Sequence, residues 1–122
     1  MKPGILCVLK EPADLQPLAR LQHLWDIAST AEASQALEIL SQRQFEAVLA
    51  DWRFPGKDGV SFLTLVMNRH PKVIRLLLFD PAEKSEKIKG DPAAHQWLAK
   101  PCSAESLKAA IEHAREIGRA HV

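Results

Sequence analysis

The 122-residue chain is predicted to fold as a doubly wound, three-layer α/β/α sandwich built from five βα units. Its parallel five-stranded sheet would take the order 2-1-3-4-5. Three observations carry this expectation. Short β-rich apolar runs alternate along the whole chain with segments whose apolar residues recur at helical spacing. Two of the runs, Ala47–Ala50 and Val73–Phe79, are continuously apolar apart from Arg75, as strands buried on both faces are. The first of these ends on one carboxylate, Asp51, then on turn chemistry (Pro55-Gly56, Asp58-Gly59), then on a helical pattern (Val60, Leu63, Val66, Met67), which is half of a βαβ unit.

Taken in order, Ile5–Leu9 is the first strand, closed by Lys10-Glu11-Pro12. In ADLQPLARLQHL, Leu15, Leu18 and Leu21 have helical spacing, and Pro17 is placed in the first turn of a short helix, where a proline is tolerated. Trp25–Ala28 reads as the second strand. Ser29 and Glu32 have the spacing of a capping box, which opens a helix to about Arg43. The third strand ends at Asp51, and its helix runs from Asp58 to about Arg69, where His70-Pro71 stops it. Val73–Phe79 is the fourth strand, with Arg75 its exception. Asp80-Pro81 opens a fourth helix, AEKSEKIK, with little apolar surface to pack. Ala94–Ala99 is the fifth strand. Ser103 caps the last helix, with Leu107, Ala110, Ile111 and Ala114 as its stripe, to about Ile117. One domain over residues 1–118 is expected, with 119–122 as a tail or linker.

Composition narrows the function classes. Net charge is +1, which gives no support to nucleic-acid binding. The apolar run near the N-terminus is too short for a signal peptide or a membrane span, so a cytoplasmic protein without membrane contact is expected. In that setting Cys7 and Cys102 are expected as free thiols, Cys7 as a small buried hydrophobe. Cys102 lies near a helix N-terminus, where a thiol pKa can fall. The five histidines are scattered and no Cys/His cluster has zinc spacing.

In open α/β sheets the working end is the carboxyl edge of the strands. In the expected order, Leu9, Lys10, Glu11, Asp51, Phe79, Asp80 and Lys100 meet there. The D-x-x-x-P-G-x-D-G stretch from Asp51 to Gly59 and the Lys100-Pro101 pair, 49 residues after Asp51, resemble the response-regulator receiver domain of two-component signalling. The resemblance extends from about Ile5 to Ile117, and AHQWLAKPCSAESLKAAI resembles receivers fused to HD-type output domains. It implies a flavodoxin-like receiver fold, with Asp51 at the phosphoacceptor position, Lys100 at the position of the family's lysine, and Phe79 and Trp97 at its switch positions.

The same resemblance exposes departures. The family places two acids after strand one to hold a hard cation; here those positions are Leu9 and Lys10, and Glu11 follows the pair. The Ser or Thr expected at the end of strand four is Phe79. Lys10 and Lys100 would put Asp51 between two ammonium groups, with no metal required. Mg²⁺ is expected only if the domain is phosphorylated, held weakly by Glu11 and Asp51.

Two readings follow. The first is a degenerate, non-catalytic receiver that signals by protein–protein contact. Its partner would be another protein, a fused output domain or a second copy, docked on the fourth helix, fifth strand and fifth helix. The alternative is a phosphorylation-competent receiver that takes a phosphoryl group on Asp51 from a histidine kinase. A flavodoxin-like enzyme or nucleotide binder ranks last, because Lys10–Asp14 is not a glycine- or hydroxyl-rich phosphate loop.

Overall fold

The structure is a computed structural model that describes residues 2–9, 12–54, 57–81, 94–100 and 102–120. Five parallel strands form its sheet: β1 (Gly4–Val8), β2 (Asp26–Thr30), β3 (Ala47–Asp51), β6 (Ile74–Phe79) and β7 (Gln96–Ala99). Their spatial order is β2-β1-β3-β6-β7, the expected 2-1-3-4-5. Between β3 and the helix α2 (Gly59–Arg69), a short antiparallel pair, β4 (Arg53–Phe54) and β5 (Lys57–Asp58), folds the loop after Asp51 into a hairpin.

β1 and β3 are buried throughout, as central strands covered on both faces must be. Side chains alternate between two cores. Ile5, Cys7, Leu49, Leu76, Leu78 and Leu98 face α3 (Ala104–Ala120), which contributes Leu107, Ala110 and Ile111. Leu6, Val8, Val48, Ala50 and Leu77 face α1 (Ala33–Gln42) and α2, which contribute Ala36, Leu40, Phe62, Leu63 and Val66.

Several local expectations give way to tertiary pairing. The first helix is a 3-10 helix over Pro12–Leu21 rather than a short α-helix starting near Pro17. Pro17 lies in its interior and has no N–H for a continuous α-helical ladder. The second strand begins at Asp26 rather than Trp25. Trp25 is buried instead, and its indole Nε1 donates to Glu46 Oε1 at 2.9 Å. The Ser29 capping box does not form. Ser29 and Thr30 pair with Cys7 and Val8 in the sheet, and the N-cap passes to Glu32, whose side chain makes no cap bond. Thr30 Oγ1 accepts the Glu32 N–H at 3.2 Å in its place. At α3 the expected cap is present: Ser103 Oγ accepts the Ser106 N–H at 3.0 Å. That helix continues to Ala120, past the end expected at Ile117. The polar fourth helix expected over AEKSEKIK, residues 82–89, lies outside the described residues.

Gly4 shows how tightly the amino edge of the sheet is packed. A Cβ at this position would stand 2.8 Å from Phe45 Cδ1, inside van der Waals contact with a buried ring. Gly4→Ala is therefore expected to destabilise the domain by about 1–3 kcal/mol, read as a lower urea midpoint.

Candidate functional site

Asp51 is the last residue of β3 and pairs in register with Leu78 of β6, so its carboxylate is delivered to the carboxyl edge of the sheet. It is only 3% exposed. Lys100 leaves the end of β7, where its backbone N–H donates to Phe79 O at 2.8 Å. Lys100 Nζ lies 3.0 Å from Asp51 Oδ1 and 3.2 Å from Oδ2, an ammonium shared by both carboxylate oxygens. The expected meeting of these two residues, distant in sequence, is thus present.

Among the described residues, the carboxyl end of β1 brings no side-chain oxygen to this site. Leu9, at the first expected acid position, is 4% exposed and belongs to the core cluster of Ile5 and Cys7. Its backbone N–H donates to Thr30 O at 3.1 Å. Lys10 and Glu11 lie outside the described residues. Phe79 ends β6 half-buried beside Ala99, and Asp80 after it is exposed. Trp97 is half-buried and packs on the α1/α2 side of the sheet; its buried indole Nε1 has no hydrogen-bond partner among the described residues. Trp52, next to Asp51, packs on the same side, with its backbone N–H on Leu78 O at 2.8 Å.

A divalent cation does not fit the described part of this site. Among the described residues, no group of three or more His, Cys, Asp or Glu is placed to hold a metal. Mg²⁺ seeks an oxygen-rich shell, and Leu9 offers a hydrocarbon where one carboxylate would stand. As described, the arrangement neutralises a buried carboxylate with an ammonium group.

Comparison with known proteins places this geometry. Residues 13–112 match the family model described as the response regulator receiver domain. The chain belongs to that family. This receiver domain is 27% identical over 118 residues to the hydrogenase transcriptional regulatory protein HoxA of Bradyrhizobium diazoefficiens; the match takes in 94% of the chain and 24% of the regulator. The chain thus spans about a quarter of the length of that relative. Among solved structures it is similar to the signal receiver domain of an HD domain-containing protein from Pseudomonas fluorescens Pf-5. The TM-score is 0.83 at 25% identity, covering 98% of this chain and 99% of the other. It also shares its fold with the receiver domain of sensor histidine kinase PA1611 from Pseudomonas aeruginosa PAO1, whose structure has a magnesium ion coordinated in the active site cleft. There the TM-score is 0.79 at 23% identity, covering 93% of this chain and 97% of the other. The expected family, fold and two-component role are therefore established for this receiver domain. Among the described residues, no helix is long and apolar enough to cross a membrane.

Three features of the structure were not expected from the sequence. Arg75 was the anticipated break in the burial of the fourth strand, yet it is itself buried, 6% exposed. Its Nη1 donates to Pro71 O at 3.2 Å and Val73 O at 3.0 Å, which gives the guanidinium polar partners below the surface. Glu46 accepts from Trp25 and also pairs with Arg115, tying α3 to the amino edge of the sheet. Cys102 is packed into the core rather than presented at the surface. Burial pushes its pKa up, and burial together with the nearby Cys102 pushes Cys7 up to about 12. Both are free and buried.

Proposed function

We propose that this receiver is degenerate and acts through protein–protein contacts, with Asp51 held in an ion pair rather than cycling through a phosphorylated state. The observation that carries this reading is the burial of Leu9 in the apolar core, at the position where the family resemblance calls for a metal-holding acid. Phosphoryl transfer depends on electrostatic neutralisation of the moving group, and a clamped metal ion is the main source of it. Phe79, without a hydroxyl, supports the same reading.

The partner is a protein: a fused output domain, a separate protein or a second copy, with the surface around β7 and α3 as the expected contact. We infer a cytoplasmic setting, a receiver unit over residues 1–118 with 119–122 as tail or linker, and no enzymatic activity. The alternative, a phosphorylation-competent receiver served by a histidine kinase with Mg²⁺, is favoured by one observation, the placement of the Lys100 ammonium on a carboxylate at the end of β3.

Mg²⁺ titration followed by tryptophan fluorescence tests the reading, because Trp52 adjoins Asp51. The unmodified protein is expected to show no saturating change at low-millimolar Mg²⁺. A Leu9→Asp, Lys10→Asp double variant, which restores two oxygen donors, is expected to gain one. Low-millimolar binding by the unmodified protein would count against the proposal.

A further inference from the structure

Registered pairing between β6 and β7 begins at Leu76 and Gln96. One step earlier the ladder is completed in an unusual way. The His95 N–H donates to Arg75 O at 2.8 Å, as a strand would. The Arg75 N–H, however, donates to a side chain, His95 Nδ1, at 2.9 Å. The ring must therefore present a lone pair at Nδ1, which only the neutral imidazole does when its proton sits on Nε2. The Arg75 guanidinium stands opposite, its Nη2 3.5 Å from Nε2. The same guanidinium is fixed by the carbonyls of Pro71 and Val73, so it has little freedom to withdraw.

We propose that His95 is a pH-operated clasp on β7: the neutral ring holds the start of the strand to β6, and protonation releases the strand that carries Trp97 and leads into Lys100. Protonation would turn Nδ1 from an acceptor into a donor aimed at another N–H, and would set an imidazolium against a buried guanidinium. Among the described residues, the charged and titratable groups at the end of α2 and in the turn that leads into β6 are Arg69 and Lys72, both exposed, and His70, half-buried. α3 packs on the opposite face of β7 through residues such as Leu107 and Ile111, and its Glu105, Lys108, Glu112 and His113 are exposed. Among the described residues, the acidic side chains of α3 are thus across the sheet from the clasp.

Burial of the ring, then the Arg75 charge, hold the His95 pKa below its ordinary 6.5. The sign follows: the open strand binds a proton more readily than the closed one. The hold is complete above the ordinary histidine value and is lost as pH falls through it towards the depressed value of the closed state. Lys100 follows β7 directly, so the device links acidity to the segment that delivers the Asp51 partner.

Amide hydrogen exchange by NMR from about pH 7.5 to about pH 5, corrected for the intrinsic pH dependence of exchange, tests this. The amides of Gln96–Lys100 are expected to lose about tenfold protection on acidification, while those of β1 keep theirs. In His95→Asn the Oδ1 atom takes the place of Nδ1 and does not titrate, so β7 protection is expected to stay constant over the same range. His95→Ala is expected to show the reduced protection already at the upper pH. The proposal is overturned if β7 keeps its protection while the His95 ring resonances titrate, or if His95→Asn loses protection as the unmodified protein does.

Discussion

Replacing Lys100 with methionine is expected to destabilise the domain by about 2 kcal/mol, measured by urea unfolding at neutral pH. The variant removes the ammonium from both oxygens of Asp51, whose side chain is 4% exposed. Losing one partner of a fully buried pair costs roughly 3–5 kcal/mol, because the other charge is left in a poor solvent. Lys100 itself is 23% exposed, so water screens part of the interaction and the expected cost is lower. The variant retains the aliphatic stem, which separates loss of charge from loss of packing. Asp51→Asn combined with Lys100→Met is expected to be more stable than Lys100→Met alone, since the buried carboxylate charge is removed together with the ammonium. An unchanged stability in the single variant would mean that the pair contributes nothing to holding this edge of the sheet.

A larger loss is expected from Phe62→Ala. Phe62 lies on α2, behind the hairpin that follows Asp51, and heads the fully buried side chains by volume. It joins Val48, Ala50 and Leu77 in the core between the sheet and α1/α2. Truncating a buried phenylalanine removes its transfer free energy and leaves a cavity, together about 3–5 kcal/mol. For a domain of this size the melting temperature should fall by roughly 10–20 °C, read by circular dichroism. Leu24→Ala, at an exposed leucine, serves as the control and is expected to stay within about 0.5 kcal/mol of the unmodified protein.

The parts of the fold that the sequence made legible are those where local pattern and tertiary structure demand the same thing. Ala47–Asp51 and the run to Phe79 read as buried strands because both faces are covered, and the alternation of strand and helix leaves few topologies. The meeting of Asp51 with Lys100 followed from strand order. Features set by contacts between distant segments were not legible. Ser29 and Glu32 have the spacing of a capping box, but pairing with β1 claims Ser29 for the sheet. Trp25 looked like a strand residue, while its indole is anchored by Glu46, far along the chain. Arg75 stands out in an apolar run, but nothing in that run shows that carbonyls four and two residues earlier give its guanidinium partners below the surface. Lys10, expected on the other side of Asp51 from Lys100, lies outside the described residues.

We infer that this receiver domain does not carry a phosphoryl group on Asp51. The intact mass of the full chain after incubation with acetyl phosphate and Mg²⁺, with Asp51→Asn alongside, tests this. The degenerate reading predicts one unmodified mass for both proteins. The addition of a single phosphate to the unmodified protein, absent from Asp51→Asn, would contradict it and establish Asp51 as a working phosphoacceptor.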